Sequence, residues 1–377
     1  MATSAPHNPP FRAEQVGSFL RPPELLAARD DRKAGRIEAS KLRAIEDDAI
    51  CNIVAYQERI GLKSITDGEF RRETFFSDFY VRGLGGLDFD FETPGDWSFV
   101  DSHGHQIPMV NIKVKDRMRW RAPIHVDDFK FLTSVATGGV PKITIPSPTH
   151  IHCRAGREGI STTVYPDLDQ FWADIVEGFQ KELAALGAAG CRCVQIDETT
   201  LPSLADPHAH ALMARRGEDW RRLMLETYPA IMNRCFAGRP ATMHLALHLC
   251  RGNNQGHWSS EGGYDEFADV LFNTIDADSF FLEYDTPRAG TFEALRYVPK
   301  NKSVVLGLLS TKFAELETVD ALKRRIDEAA RYCPLAQLAL SPQCGFASAY
   351  SGNPVSSQAQ DDKLRRVIEV AREVWGS

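Results

Sequence analysis

The feature that most constrains the fold of this chain is a regular alternation of short apolar runs with longer helical patterns. Eight runs rich in leucine or β-branched residues have the length of buried strands: 16–19, 63–67, 142–146, 191–197, 242–249, 278–284, 303–309 and 337–341. Around them, apolar residues recur every three to four positions, which predicts helices at 39–60, 167–186, 218–234, 263–273, 319–332 and 361–375. Strands that alternate with helices pair in parallel, and eight such units favour an α/β fold, the closed (β/α)8 TIM barrel.

The sequence is organised as one domain with one insertion. No low-complexity tract or Ser/Gly-rich linker divides it, so we expect a single barrel domain over residues 1–377. The main irregularity is residues 71–140, where GLGGLDFDFETPGDW and IPMVNIKVK predict a β-rich insertion after the second strand. A doubly wound open sheet is the alternative fold, although no Gly-x-Gly-x-x-Gly motif follows any early strand.

Charge and cysteine content narrow the range of partners and compartments. The 377 residues include 44 Lys+Arg against 51 Asp+Glu, a net charge of −7, which disfavours non-specific nucleic-acid binding. No apolar run approaches the roughly 20 residues that span a membrane, and the first residues lack the basic and apolar regions of a signal peptide. Eight scattered cysteines indicate reduced thiols and a cytoplasmic location. The sequence leaves open whether the protein forms a homo-oligomer.

Residues capable of chemistry gather at the predicted carboxyl ends of the strands, where the active site of a barrel lies. The second strand ends in TDGEFRR and the fourth in QIDE. The fifth ends in HLALHLC, the sixth in FFLEYD, and the eighth runs into SPQCGF. We therefore expect acidic, histidine and cysteine side chains on one rim of the barrel.

The fifth strand and its neighbours predict a metal site. As a strand, the segment places His244, His248 and Cys250 on one face and three leucines on the other. Residues two apart on a strand are separated by about 6.7 Å, so His248 and Cys250 can converge on one zinc ion. Cys344 and Glu283 stand at two other strand ends, and a mixed N/S/O ligand set favours zinc over magnesium or calcium.

A purely structural interpretation of these residues stays open at this point. A lone buried cysteine or strand histidine is more often part of the core than a metal ligand. Cys191 and Cys193 form a rival ligand pair, but they lie at the start of the fourth strand and we interpret them as packing residues. Four histidines in predicted loops are interpreted as surface residues: His103, His105, His150 and His152.

The strand-end motifs resemble those of cobalamin-independent methionine synthase, in its C-terminal zinc-bearing barrel, and of its single-barrel relatives. The matching segments span nearly the whole chain: VGSF at 16–19, TDGEFRR at 66–72, KITIPSP at 142–148, QIDE at 195–198, HLCRGN at 248–253, FFLEYD at 280–285 and LSPQCGFAS at 340–348. The resemblance implies a zinc cofactor with four ligands: His248, Cys250, Glu283 and Cys344.

The resemblance also implies how an amino-acid thiol would be held. Glu69 and Asp197 lie where the family holds the amino group of homocysteine, and Ser18 lies near its carboxylate. The implied chemistry is alkyl transfer to a small thiol. Binding to zinc deprotonates a thiol that is mostly protonated at pH 7, and the zinc-bound thiolate attacks an electrophilic carbon of a small alkyl donor.

The resemblance suggests two candidate reactions. The expected one is that of epoxyalkane:coenzyme M transferase (2-hydroxyalkyl-CoM lyase), a single-barrel relative that opens an epoxide with 2-mercaptoethanesulfonate. The alternative is methionine-synthase-like methyl transfer to homocysteine from methyltetrahydrofolate or a methyl-corrinoid. The presence of Glu69 and Asp197 favours homocysteine as the substrate, because two carboxylates suit its ammonium group better than the sulfonate of coenzyme M. The absence of a second barrel favours the coenzyme M reaction.

Epoxide opening requires a proton for the alkoxide and a cation for the sulfonate. Candidate proton donors are His244, His257 and His152, and candidate sulfonate partners are Arg71, Arg72 and Arg251. An ordinary ion pair is an equally good interpretation of these arginines. We predict as catalytic residues His244 and Asp197, and as substrate-binding residues Ser18, Glu69, Arg71, Arg72 and Asp197.

Two interpretations outside thiol alkylation also stay open. One is a non-catalytic zinc barrel, in which four permanent ligands close the metal site. The other is a metal-free barrel of the uroporphyrinogen decarboxylase type. That second interpretation leaves His248, Cys250 and Cys344 without a role.

Overall fold

The computed structural model describes residues 10–376. The strands are β1 Ser64–Ile65, β2 Leu87–Val100, β3 Gln106–Val114, β4 Val140–Pro141, β5 Ile143–Pro146, β6 Cys193–Glu198, β7 His244–Leu249, β8 Ser279–Glu283, β9 Ser303–Leu309 and β10 Leu338–Pro342. The α-helices are α1 Pro23–Lys33, α2 Ala39–Ile60, α3 Val126–Val135, α4 His150–Ala155, α5 Leu168–Ala188, α6 Thr200–Leu204, α7 Pro207–Arg215, α8 Trp220–Arg222, α9 Tyr228–Phe236, α10 Ala268–Asn273, α11 Val319–Ala329 and α12 Ser357–Trp375. In this range, no helix combines the length and hydropathy that crossing a membrane requires.

Six parallel strands form the central sheet, in the spatial order β5–β6–β7–β8–β9–β10. Each strand pairs with the next along the chain, so the order never reverses, as it does in a doubly wound sheet. At one edge, the Leu340 N–H of β10 donates to the Arg12 carbonyl. At the other edge, the Lys142 N–H before β5 donates to the Ile65 carbonyl of β1, which pairs in parallel with β4. The chain is therefore an α/β protein with a parallel sheet.

The first predicted strand, residues 16–19, is wrong. The carbonyl groups in and next to this segment accept hydrogen bonds from side chains: Gln15 from Lys142 Nζ, Val16 from Gln195 Nε2 at 2.7 Å, and Gly17 from Thr66 Oγ1 at 2.7 Å. These bonds satisfy the backbone without a neighbouring strand. The other seven predicted strands are present, although residues 63–67 shorten to β1.

The two faces of β7 contact different groups of residues, as the alternation of its side chains predicts. Leu245, Leu247 and Leu249 are fully buried in the main hydrophobic core. Ala246 belongs to a separate small cluster with Val16, Phe281, Val305 and Ala339, contributed by β8, β9, β10 and the segment before α1. This smaller cluster lies on the face of the strands opposite the three leucines.

The 71–140 insertion contains an antiparallel hairpin, β2–β3, together with a π-helical segment at Asp78–Leu84 and helix α3. The β-rich prediction is therefore correct for residues 87–114 and incomplete for the rest. The pairing register shifts on both sides of Pro94, because proline has no N–H to donate to the ladder. The hairpin also bonds to the rest of the chain, since the Val100 and Trp258 backbones exchange hydrogen bonds.

The predicted helix at 218–234 is divided into α8, a π-helical segment at Leu223–Thr227, and α9. Pro229 lies inside the predicted helix, and its missing N–H removes one hydrogen bond of the regular α-helical pattern. The predicted helix at 263–273 shortens to α10, and residues 265–267 before it form a turn. The predicted start at Asp167 is confirmed, since its side chain accepts a hydrogen bond from the Gln170 N–H at 3.0 Å.

Candidate metal centre and active site

Strand register brings together three of the four residues predicted to bind zinc. His248 lies near the end of β7, and Cys250 is the first residue after it. Cys344 follows the end of β10 by two residues. The ligand atoms of these three buried side chains all lie within 4.8 Å of one another. One imidazole and two sulfurs form a donor set that suits zinc.

The His248 ring is oriented by the neighbouring strand. Asp197 on β6 is the register partner of His248, and its Oδ1 lies 3.0 Å from His248 Nδ1. Gln195 Nε2 donates to the same Oδ1 at 2.8 Å. Burial favours the neutral imidazole, but Asp197 and the Cys344 sulfur outweigh it and raise the pKa of His248 to about 10. Both ring nitrogens therefore carry protons near neutral pH, and a metal ion would displace the proton on Nε2 while Asp197 keeps the one on Nδ1.

The two cysteines differ in charge. A hydrogen bond from the Cys250 thiol stabilises the Cys344 thiolate, and with His248 it holds the pKa of Cys344 well below its usual value. The same bond, together with burial, raises the pKa of Cys250 well above its usual value. The cluster therefore holds a thiolate beside a protonated imidazole in a buried place, and a metal ion would take the place of the proton between them.

Glu283, the fourth predicted ligand, does not belong to this set of converging atoms. It is the last residue of β8 and is fully buried. Its Oε1 accepts from Arg288 Nη2 at 2.6 Å and from Lys312 Nζ at 3.4 Å, while Oε2 accepts from the Arg251 N–H at 2.7 Å. Although burial opposes ionisation, Lys312 and Arg288 hold the pKa of Glu283 below its usual value. Its assignment as a zinc ligand stays a prediction.

Glu69 has a strained backbone and a buried carboxyl group. Its φ of 59° is unusual for a residue with a side chain, and such strain is found mostly at functional sites. The Thr144 hydroxyl donates to Oε1 at 2.8 Å, and Arg72 Nη1 lies 3.8 Å from Oε2. Burial raises the pKa of Glu69 to about 7, since Arg72 only partly offsets the loss of water and Asp197 adds negative charge. A buried carboxyl group in this state can accept an ammonium partner.

Ser18 connects the segment before α1 to the loop that carries Cys344. The Ser18 carbonyl accepts from the Phe346 N–H at 2.9 Å, and its hydroxyl accepts from the Ala347 N–H at 3.2 Å. A Cβ at position 345 would lie 2.0 Å from Ser18 Oγ, so glycine is required there. This close approach fixes the two loops against each other beside the metal cluster.

These residues open into one cavity of about 590 Å³. Six of the predicted site residues line it: Ser18, Glu69, Asp197, His248, Cys250 and Cys344. The β2–β3 hairpin lines it too, and contributes aromatic and aliphatic side chains that include Phe89, Trp97, Phe99 and Met109. The insertion thus forms part of the wall of the site.

Four other predicted site residues do not line the cavity. His244 is at the amino end of β7, four residues from His248, and its Nε2 bonds to Ser279 Oγ at 2.8 Å. At about 3.3 Å per strand residue it is roughly 13 Å from the metal cluster, so its position does not support a catalytic role. Glu283 accepts from the N–H of Arg251, the residue after Cys250. Arg72 approaches the Glu69 carboxylate and donates to Thr144 Oγ1 at 2.8 Å.

Arg71, the fourth, borders a second cavity of about 700 Å³. It bonds to Asp47 and lies 3.5 Å from Asp128. Arg251, the other candidate sulfonate partner, is fully buried and donates to Tyr264 and Gly262. Both arginines are therefore paired locally, and neither lines the cavity that contains the metal cluster.

The interpretation of His150 and His152 as surface residues is wrong, because both are buried on α4. His150 lines the cavity, as do Phe75, Phe76 and Arg154. The rule that active sites follow the carboxyl ends of strands could have found His150, which lies four residues after β5. His103 and His105 are exposed as predicted, and both approach Asp101. Cys191 and Cys193 are buried, in agreement with a packing role.

Known proteins resemble this chain along nearly its whole length. The family model for the catalytic domain of cobalamin-independent synthase matches residues 11–373. YxjH, an uncharacterised protein of Bacillus subtilis, is 38% identical over 371 residues, which cover 97% of this chain and 95% of the relative. Methionine synthase from Pyrococcus furiosus is 23% identical over 331 residues, with coverages of 88% and 85%.

A solved structure agrees with these relatives. The putative vitamin-B12 independent methionine synthase from Listeria monocytogenes is 34% identical, with a TM-score of 0.76, and the match covers 98% of this chain and 99% of that one. The match of the family model and the two relatives above 30% identity are mutually consistent. The chain therefore belongs to the catalytic-domain family of cobalamin-independent methionine synthase, a family of methyltransferase enzymes.

Proposed function

We propose that this protein is a zinc-dependent methyltransferase that transfers a methyl group to the thiol of homocysteine. We also propose that its fold is a (β/α)8 barrel, in which residues 12–19 and 63–68 complete the ring begun by the six strands of the central sheet. The observation that carries the proposal is the convergence of His248, Cys250 and Cys344 within 4.8 Å at the floor of a cavity. The family and the methionine synthase relatives support homocysteine as the acceptor. Nothing comparable supports the coenzyme M and epoxide reaction.

The acceptor subsite is formed by residues next to the metal cluster. Glu69 and Asp197 line the cavity and can pair with the ammonium group of an amino acid. Ser18 lies on the same wall and is placed to contact the carboxylate. The thiol of homocysteine, at the far end of the molecule, would then point towards His248, Cys250 and Cys344.

The chain's own residues set the protonation states that this reaction requires. His248 Nδ1 donates a hydrogen bond to Asp197 Oδ1. This bond keeps the proton on Nδ1 and leaves Nε2 as the nitrogen for a metal ion. A zinc ion held by His248, Cys250 and Cys344, with Glu283 as the predicted fourth ligand, would lower the pKa of the substrate thiol. In the transfer, the sulfur forms a bond to the methyl carbon as the bond from that carbon to the donor breaks.

The test is calorimetric titration of the zinc-loaded protein with L-homocysteine and, separately, with coenzyme M. Buffers of different ionisation enthalpy measure the protons released. We expect homocysteine to bind with release of about one proton, because the thiol is deprotonated on binding. Binding of coenzyme M alone would favour epoxide opening, and binding of neither thiol would contradict the proposal.

Matched variants make the test specific to the cluster. Cys344→Ala should lose both the zinc and the proton release, while Cys235→Ala, a buried cysteine of α9, should keep both. Formation of methionine from homocysteine and a methyl donor then measures the activity itself. A Cys344→Ala protein that keeps full activity would contradict the assignment.

A further inference from the structure

A second group of converging ligand atoms lies outside the metal cluster, at the turn between β2 and β3. This turn spans residues 101–105, and one ligand atom from each of Asp101, His103 and His105 lies within 4.8 Å of the other two. In residues 10–376 no third group of this kind exists. The proposed function gives these three residues no role.

The backbone of the turn is built around the Asp101 carboxylate. Its Oδ1 accepts from the N–H groups of His103 and His105, each at 2.8 Å. The Asp101 N–H donates to the His105 carbonyl at 3.1 Å, and Gly104 closes the turn with a φ of 81°, a conformation that glycine adopts without strain. One carboxylate oxygen therefore holds the backbone of both histidines, and the second oxygen, Oδ2, lies beside their rings.

The distances among the three side chains are close to those of a metal site. Asp101 Oδ2 lies 2.9 Å from His105 Nδ1 and 3.8 Å from His103 Nδ1. Two ligand atoms at about 2.0–2.2 Å from one zinc ion are about 3.4 Å apart when the geometry is tetrahedral. The two measured distances lie on either side of that value, so a shift of about 0.5 Å in each exposed ring would bring both nitrogens to the ion.

A hydrogen bond between one histidine and one aspartate does not account for the whole arrangement. It explains the approach of His105 to Asp101, but not that of His103, whose ring lies beside the His105 ring with centroids 5.9 Å apart and planes inclined by 28°. Asp206 and His208 show the simpler case, in which one exposed histidine approaches one carboxylate at 3.0 Å. At the turn, a second imidazole approaches the same oxygen.

The chemistry of these donors selects the class of ion. Neutral imidazole nitrogens bind zinc, copper and nickel, whereas magnesium and calcium prefer oxygen ligands. One carboxylate offsets part of the charge of a divalent ion, and no lysine or arginine of the described residues lies within 4.0 Å of Asp101 to compete with it. Both imidazoles are 78% exposed, so water can fill the remaining positions of the ion.

The turn is joined directly to the wall of the cavity. Phe99 of β2 pairs with Ile107 of β3, and both line the cavity. Between this pair and the turn, the Val100 backbone exchanges hydrogen bonds with Trp258, which lies in the loop after Cys250. An ion bound across the turn would therefore hold together the ends of two strands that form the wall.

We propose that Asp101, His103 and His105 form a second metal site, which binds a divalent transition-metal ion and fixes the turn between β2 and β3. The site shares no residue with the metal cluster, so it is independent of the proposed methyl transfer. Because the position is exposed and water completes the coordination, the ion should exchange readily. Dialysis should therefore remove it while the zinc of the metal cluster stays bound.

The experiment titrates zinc into the dialysed, zinc-loaded protein, prepared without a histidine tag, and follows binding by calorimetry. We expect one further zinc ion to bind per chain, a similar binding event with copper or nickel, and none with magnesium. Hydrogen exchange measures the effect on the turn itself. Zinc should slow the exchange of the backbone amides of residues 99–107, because the bound ion opposes local opening of the hairpin.

Variants assign the binding event to particular residues. His103→Ala and His105→Ala should each abolish the second binding event and the slower exchange. Asp101→Asn should also abolish them, although asparagine can still accept the two backbone hydrogen bonds of the turn. His208→Ala is the matched control, because it removes an exposed histidine beside a carboxylate, and it should change nothing. Cys344→Ala should lose the zinc of the metal cluster and keep the binding event at the turn.

Several results would overturn the inference. One is a wild-type protein that takes up no second zinc ion, and another is a second ion that still binds to His103→Ala and His105→Ala. A second ion that is lost equally in His208→Ala would also contradict the assignment. Zinc binding without slower exchange of residues 99–107 would overturn the effect on the turn. None of these results bears on the proposed function, which is tested by homocysteine binding at the metal cluster.

Discussion

At the scale of single residues, the two cysteines of the metal cluster carry opposite pKa shifts and have the same predicted function. Cys250→Ala and Cys344→Ala should each weaken zinc binding by more than about 100-fold, which is beyond the usual cost of changing an outer contact of a metal site. Both variants should stay folded, because a small buried side chain is replaced by another. Metal content after dialysis measures the loss, and Cys235→Ala is the control.

Asp197 acts on the metal cluster through His248 and not as a member of it. Asp197→Asn keeps the size of the side chain but removes the charge that holds the proton on His248 Nδ1. We expect zinc affinity to fall by about 10- to 100-fold, as for other carboxylates that orient a metal-binding histidine. Competition with a chromophoric chelator measures the affinity, and an unchanged value would show that Gln195 and the strand register suffice.

Glu69 should make the affinity for an amino-acid ligand depend on pH. Its pKa of about 7 means that the carboxyl group is protonated below that pH and charged above it, and only the charged form can pair with an ammonium group. The affinity for L-methionine, which has no thiol to titrate, should therefore fall about tenfold per pH unit below about pH 7. In Glu69→Gln the affinity should be lower and independent of pH. A flat profile in the wild-type protein would contradict the role of Glu69.

At the scale of elements, helix α5 shows how much a local signal can determine. Asp167 caps the helix by accepting the Gln170 N–H. Asp167→Ala should lower the free energy of unfolding by about 1 kcal/mol, since a backbone donor loses its partner. Asp167→Asn should restore most of it, because asparagine caps equally well. Urea unfolding measures both variants, and equal stability of the alanine variant would mean that water replaces the cap.

The hairpin β2–β3 shows where local signals fail. Its alternating apolar residues predict strands, but they do not say what either face of the hairpin contacts. The hairpin packs against α4 and borders the cavity at the ends of the strands, and these elements are distant from it in the sequence. The cavity wall and the burial of His150 could therefore not be predicted. The same limit explains the first predicted strand, because the side chains of Lys142, Gln195 and Thr66 that satisfy its carbonyls come from other elements.

The sequence predicts the metal cluster better than the substrate contacts for a similar reason. His248 and Cys250 lie on one strand, so their spacing alone places them together. Arg71 borders a different cavity, and that position follows from the packing of helices and of the insertion, which no spacing in the sequence encodes. His244 could have been excluded from the sequence, because it lies four residues before His248, towards the amino end of the same strand.

At the scale of the whole molecule, a buried lysine links the amino-terminal segment to the sheet. Lys142 Nζ bonds to the Gln15 carbonyl, lies 3.1 Å from Gln195 Oε1 and lies 3.6 Å from Glu14 Oε2. Lys142→Met should lower the free energy of unfolding by about 3–5 kcal/mol, because it leaves the buried Glu14 without its cation.

Adding Glu14→Gln to Lys142→Met should recover part of that loss, since the unpaired charge is then removed as well. Urea denaturation followed by circular dichroism measures both proteins. A single variant as stable as the wild type would show that Ser64, which donates to Glu14 at 2.7 Å, is sufficient.

The contact between Ser18 and the loop of Cys344 has a consequence for biosynthesis. On the ribosome, Cys250 is made 94 residues before Cys344, which at about 5–20 residues per second is an interval of roughly 5–20 s. During that time the nascent chain carries two of its three converging ligands and lacks the segment that packs on Ser18. On the proposed ligand set, capture of the metal by all three side chains therefore has to wait until Cys344 and the loop that packs on Ser18 have been made.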